Sequence, residues 1–168
     1  KAVNDQSVLA ILCMNLGNMY LTLRNIDSTT FYYQESVRHG LACNYLQYTS
    51  AAYNGLGEIN YLQGNLPQAR SYYNKAIEAA FGQKNNIALG AAMVNIAKLL
   101  NKQGNKDSAY YFAQQSIQTY QPLNMNNLMM SAYRTMAEVF ESSHQHDSAY
   151  FYLSMANMIK DSLQTTEN

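Results

Sequence analysis

The sequence predicts an all-α fold, an array of four helical hairpins. Three observations carry this. The chain repeats itself every 40 residues across four blocks, 10–49, 50–89, 90–129 and 130–168, with no insertion or deletion. Small residues recur at fixed block positions: Gly17, Gly57, Ala97 and Ala137 at position 8, Thr29, Ala69, Ala109 and Ala149 at position 20, Ser36, Ala76, Ser116 and Ala156 at position 27. Only 2 Pro occur in 168 residues, and Pro breaks helix interiors.

Each block divides into two helices. The spacing predicts helices over 5–23, 28–39, 45–63, 67–80, 86–103, 107–120, 126–143 and 147–163. The first helix of each block ends at a turn, Arg24-Asn25, Gly64-Asn65, Gly104-Asn105 or His144-Gln145, where Gly and Asn tolerate left-handed backbone. Asp27-Ser28, Asp107-Ser108 and Asp147-Ser148 are placed to accept the free N–H groups that open the second helix, and Pro67 suits a first turn. Connectors over 40–44, 81–86 and 122–126 join successive hairpins. The small residues mark helix crossings. Leu16, Leu56, Ile96 and Met136 at position 7, with Tyr32, Tyr72, Phe112 and Tyr152 at position 23, fill the space between hairpins. A single hairpin cannot bury its own apolar face, so stacking supplies the core.

Composition excludes several function classes. Lys+Arg and Asp+Glu are 11 each, so net charge is zero, against a chain whose main task is gripping nucleic acid or an anionic surface. With 48% hydrophobic residues, disorder is excluded too. Only 13% of residues are charged; 19 Asn and 13 Gln supply the polarity instead. No apolar run reaches the ~18 residues of a membrane span, so a membrane connection is expected only through segments outside this sequence. No phosphate loop, nucleophile elbow or metalloprotease helix is present, and neither an enzyme nor a cofactor is predicted. His144 and His146 beside Asp147 are too few ligands for a closed metal site, so none is predicted. Cys13 and Cys43 read as small apolar residues. The aromatic pairs Tyr32-Tyr33, Tyr72-Tyr73 and Tyr110-Tyr111 read as packing rather than as stacking platforms for bases or sugars.

The block pattern resembles the tetratricopeptide repeat (TPR). Block two carries Tyr53, Leu56-Gly57, Gly64, Ala69, Tyr73 and Ala76 at that motif's positions, and block one carries Leu16-Gly17, Tyr20 and Tyr33. Blocks three and four place Ala where the motif has Gly at position 8. The period of 40 exceeds the family's usual ~34, which implies longer helices. The resemblance implies a right-handed superhelical solenoid forming one domain over 1–168. It also implies a non-catalytic module that takes a protein or peptide in a concave groove lined by the first helices. The residues it places there include Asn15, Asn18, Asn54, Glu58, Tyr61, Asn95, Lys98, Asn101, Arg134 and Glu138. An Asn amide both donates and accepts, so it can hold a peptide backbone without reading its sequence. A clamp for a C-terminal carboxylate is not predicted: Asn18 matches one of its positions, but Met14, Gly55 and Ala91 miss the others.

The Tyr- and Asn-rich repeats also resemble the sensor regions of bacterial histidine kinases and helix-turn-helix transcription regulators. That likeness implies a sensory or scaffolding role in a larger signalling protein, with 157–168 as a linker helix. It favours an extracytoplasmic region of a membrane-anchored protein, with a cytoplasmic one as the alternative. The competing function is self-association, a homodimer through terminal helices such as the one bearing Leu153, Met155, Met158, Ile159 and Leu163.

Overall fold

The computed structural model describes residues 2–166, with side chains over 5–163. Eight α-helices and no strand occur among the described residues: α1 (Ala2–Thr22), α2 (Ile26–Ala42), α3 (Leu46–Leu62), α4 (Leu66–Gly82), α5 (Asn86–Lys102), α6 (Lys106–Tyr120), α7 (Asn126–Ser142) and α8 (His146–Thr166). They form the four hairpins that the repeat predicts. The region 157–166 continues α8 as one helix, and residues 167 and 168 lie outside the described residues.

The backbone has a finer rhythm than 40. Left-handed residues fall 20 apart, at Arg24, Asn44, Gly64, Lys84, Gly104, Asn124 and His144. After six of them the next residue donates its N–H five residues back: Asn25 to Tyr20, Tyr45 to Gly40, Asn65 to Asn60, Asn85 to Ala80, Asn105 to Leu100 and Gln145 to Phe140, at 2.8–3.0 Å. This is the Schellman ending, which satisfies carbonyls that the helix leaves unpaired. Before Asn124 a 3-10 turn, Gln121–Leu123, intervenes instead, set by Pro122.

Two local expectations are corrected. The left-handed residue is the first of each turn pair, so Arg24 and His144 take it as Gly64 and Gly104 do. The caps lie earlier than Asp-Ser: Asn25 Oδ1 accepts the Ser28 N–H at 3.0 Å and Asn105 Oδ1 that of Ser108 at 3.4 Å. Asp27, Asp107 and Asp147 therefore sit inside the first turn, where a negative charge suits the helix dipole. With a three-residue turn sufficient, the helices also run further than predicted, α2 to Ala42 and α4 to Gly82.

The chain divides into two compact units, Lys1–Ala88 and Leu89–Asn168, within two residues of the boundary between blocks two and three. The core of the first is built on Tyr33, Ala52, Leu56 and Ile59. The second has two clusters, one around Val94, Tyr120, Met129 and Ala132, the other around Ala97, Ala113 and Met136. All twelve small residues at positions 8, 20 and 27 are buried.

Tyr33 and Tyr73 at position 24 are buried, each 2% exposed. Their rings lie on glycines: a Cβ on Gly17 or Gly55 would enter the Tyr33 ring, and one on Gly57 the Tyr73 ring. Where position 24 is Ala113 or Leu153, position 8 is Ala97 or Ala137. Ring and glycine thus vary together. The position-23 aromatics are half-buried and stack on first helices, as in Tyr20–Tyr32 at 5.3 Å and Phe140–Tyr152 at 5.5 Å between ring centres. Buried hydroxyls tie the two helices of a hairpin together. Ser36 donates to the Ala10 carbonyl and Ser50 to the Ala76 carbonyl, both at 2.9 Å, so positions 1 and 27 exchange the donor between hairpins.

Candidate functional site

All ten residues singled out from the sequence lie on the first helices of the hairpins. In the first unit, Asn15 and Asn18 are exposed on α1, and Glu58 is exposed on α3 with Asn54 and Tyr61 half-buried beside it. Asn18 already serves an internal contact, because its Oδ1 accepts the Tyr33 hydroxyl at 2.8 Å. Burial is the main cause that raises the Tyr33 phenol above its ordinary range, and the Glu58 charge adds to it. Burial and Glu58 act on Tyr73 in the same order.

In the second unit, Asn95, Lys98 and Asn101 are half-buried on α5, and Arg134 and Glu138 are exposed on α7. Asn101 joins helices. Its Nδ2 donates to the Glu138 carbonyl at 3.3 Å, and its Oδ1 accepts from Lys106 Nζ at 2.8 Å and from the Ser142 hydroxyl. Arg134 and Glu138 are brought together on one wall of a groove of about 840 Å³ in the last hairpin. Ala137, Ala149 and Leu153 form its apolar floor, and Glu141, His146 and Tyr150 complete the rim. An apolar floor with mixed charges on the rim suits an amphipathic peptide. The Glu141 carboxylate lies 3.1 Å from His146 Nδ1.

Sequence reasoning named Arg134 and Glu138 but not the α8 half of this groove. The signal was available in the block pattern: Ala149 is the small residue that recurs at position 20, and Tyr150 and Leu153 follow on the same helix face. Elsewhere, buried His39 donates from Nδ1 to Gln6 Oε1 at 2.6 Å and accepts from Arg38 at 3.0 Å, a structural arrangement joining α2 to α1. Cys13 and Cys43 are free thiols. Among the described residues no group of three His, Cys, Asp or Glu could hold a metal ion, and no helix is long and apolar enough to cross a membrane.

With the hairpins, their 40-residue register and the groove in place, the decisive comparison is with family models: the model described as "MalT-like TPR region" matches residues 3–165. The chain belongs to the MalT-like TPR family. Solved structures share its fold. BtubC (BKLC) from P. vanneervenii is 14% identical with a TM-score of 0.79 over 95% of this chain, which spans 66% of that one. A Podosopora anserina protein with nearly identical TPR-like repeats of the kinesin light chain type is 12% identical with a TM-score of 0.65, over 92% of this chain and 76% of that one. MamA protein is 16% identical with a TM-score of 0.54, over 95% and 96%. At these identities the likeness concerns the fold. No curated protein matches the chain as a relative. The fold is all-α, of the TPR helical-solenoid type, and TPR-like repeats are typically protein-interaction modules.

Proposed function

We propose that this chain is a non-catalytic protein- or peptide-binding module, the sensory or scaffolding TPR region of a larger bacterial signalling or transcription-regulatory protein. The first-helix faces carry the contacts, and the groove between α7 and α8 is the principal site. The observation that carries this reading is the groove itself: an apolar floor of Ala137, Ala149 and Leu153 set under Arg134, Glu138 and Glu141. A peptide helix laid there would bury apolar surface at about 25 cal/mol per Å², and the rim charges would fix its register. The match to a MalT-like TPR region supports the regulatory setting.

A random-peptide display selection against the chain tests the binding role. Enriched peptides are expected to lose about tenfold or more in affinity on Arg134→Ala/Glu138→Ala. Enriched peptides that bind this variant unchanged would move the site elsewhere, and the absence of any enrichment would count against a peptide groove. Sequencing of the full gene tests the regulatory setting, where an output module on the same chain is expected. A second reading, self-association through the terminal helices, is favoured by exposed apolar residues on both: Leu12 and Met19 on α1, Phe151 and Met158 on α8.

A further inference from the structure

The internal repeat allows the α7–α8 groove to be read against the same face of another hairpin. In the α5–α6 hairpin the groove residues have as counterparts Val94, Ala97, Asn101, Tyr110 and Ala113, which occupy the positions of Arg134, Ala137, Glu141, Tyr150 and Leu153. All five are engaged by α7. Val94 packs in a cluster with Met129 and Ala132, and Ala97 and Ala113 pack with Met136. Tyr110 meets Phe140 edge-on at 5.6 Å, and Asn101 bonds Ser142 and the Glu138 carbonyl. The face that forms the groove in the last hairpin is therefore the face that, one hairpin earlier, receives a first helix.

A matching donor face exists on the chain. At block positions 3, 7 and 10 the first helices carry Ala52, Leu56 and Ile59 in α3, Ala92, Ile96 and Leu99 in α5, and Ala132, Met136 and Val139 in α7; none is more than 4% exposed. In α1 the same positions are Leu12, Leu16 and Met19, with Leu12 51% and Met19 46% exposed. Leu23, one turn on, is 66% exposed. We propose that the α7–α8 groove is the acceptor for α1 of a second copy, so that copies join head to tail through Leu12, Leu16 and Met19. The proposal rests on the groove being a peptide site, as read above, and names its occupant.

The polar and aromatic partners agree with this register. Tyr20 stacks on Tyr32 as Phe140 stacks on Tyr152, so α1 presents to Tyr150 of the acceptor the ring that α7 presents to Tyr110. Thr22 stands where Ser142 stands, and each hydroxyl lies within hydrogen-bond reach of the carbonyl three residues back, with a single proton that can turn to a second acceptor instead. Ser142 bonds Asn101. Thr22 would meet Glu141, an acceptor in the place of Asn101. Lys160 replaces Tyr120, the neighbour of Met129, and a turn before Leu9, the counterpart of Met129, the donor helix carries the opposite charge of Asp5. Such a contact is heterologous: each joined pair keeps one free α1 face and one free groove, so assembly does not close at a dimer unless a rotation closes a ring.

Sedimentation equilibrium of the chain and two variants tests this. Leu12→Glu/Met19→Glu spoils the donor face and Leu153→Glu the acceptor, all at exposed positions, with circular dichroism melts confirming the fold. The parent is expected to gain mass with concentration past the dimer, each variant alone to stay monomeric, and an equimolar mixture of the two to form a dimer and stop there. A disulfide between Tyr20→Cys on one chain and Tyr150→Cys on another, in a Cys13→Ser/Cys43→Ser background, is expected only in the mixture. A Leu153→Glu chain that still dimerises alone would overturn the head-to-tail register in favour of α1 pairing with α1. A parent that is monomeric at every concentration would overturn the proposal, while the peptide selection could still succeed, so the two readings fail separately.

Discussion

The pairing of a ring with a glycine sets the closeness of a hairpin at the residue scale. Tyr73 lies flat on Gly57, and its ring is too buried to swing aside. An added methyl there must push the second helix away, an overpacking that costs about 1–3 kcal/mol. Against this stands the gain of about 1 kcal/mol that Ala has over Gly in a helix interior. Gly57→Ala is therefore expected to destabilise, and the loss is expected to shrink on a Tyr73→Leu background. The last hairpin already uses that combination, Ala137 with Leu153. A double-mutant cycle by urea denaturation should give a favourable coupling of about 0.5–3 kcal/mol; additive effects would contradict the contact. The sequence held this information in its covariation, Gly with Tyr in blocks one and two and Ala with Ala or Leu in blocks three and four. The partners of Asn18 and Asn101 were not legible. Whether an amide faces a ligand, a phenol or a neighbouring carbonyl depends on how helices cross, and block position alone is silent on that.

Helix ends govern the element scale. Every helix stop was legible as a turn, most of them from a Gly, Asn or Pro at or beside it, yet the caps were displaced from the residues that looked most like caps. Asp27 and Ser28 are good capping residues, but the left-handed Arg24 reverses the chain one step too early for them. Asn25 arrives first at the free N–H groups. The same geometry separates three otherwise similar asparagines. Asn25 and Asn105 accept a backbone N–H at the helix start, whereas Asn65 makes no such cap bond and precedes a helix with Pro in its first turn. Asn105→Ala is expected to cost about 1 kcal/mol, within the usual range for a lost cap, and Asn65→Ala distinctly less. Thermal denaturation of both variants checks the order; equal losses would mean that the side-chain bond contributes nothing.

At the scale of the whole molecule, a strict 40-residue register and a division into two units coexist. Periodicity reports that each hairpin is built alike; it carries no measure of how tightly one hairpin holds the next, and the contacts group the described helices into two compact units. Each body has a core of its own, on Tyr33 and Leu56 in the first and on Val94, Tyr120 and Met136 in the second. In a repeat array stability is a sum of local terms and nearest-neighbour interfaces, so damage should stay where it is made. Met136 is 1% exposed, and its truncation to Ala removes three heavy atoms from between Ala97 and Ala113. Such a cavity costs about 2–5 kcal/mol. Native-state hydrogen exchange on Met136→Ala is expected to show faster opening of α5 to α8 and unchanged protection in α1 to α4, because local opening is governed by the contacts of the segment that opens. Acceleration spread evenly over all eight helices would mean that the array unfolds as one cooperative body, and that the register of 40 is also the register of its stability.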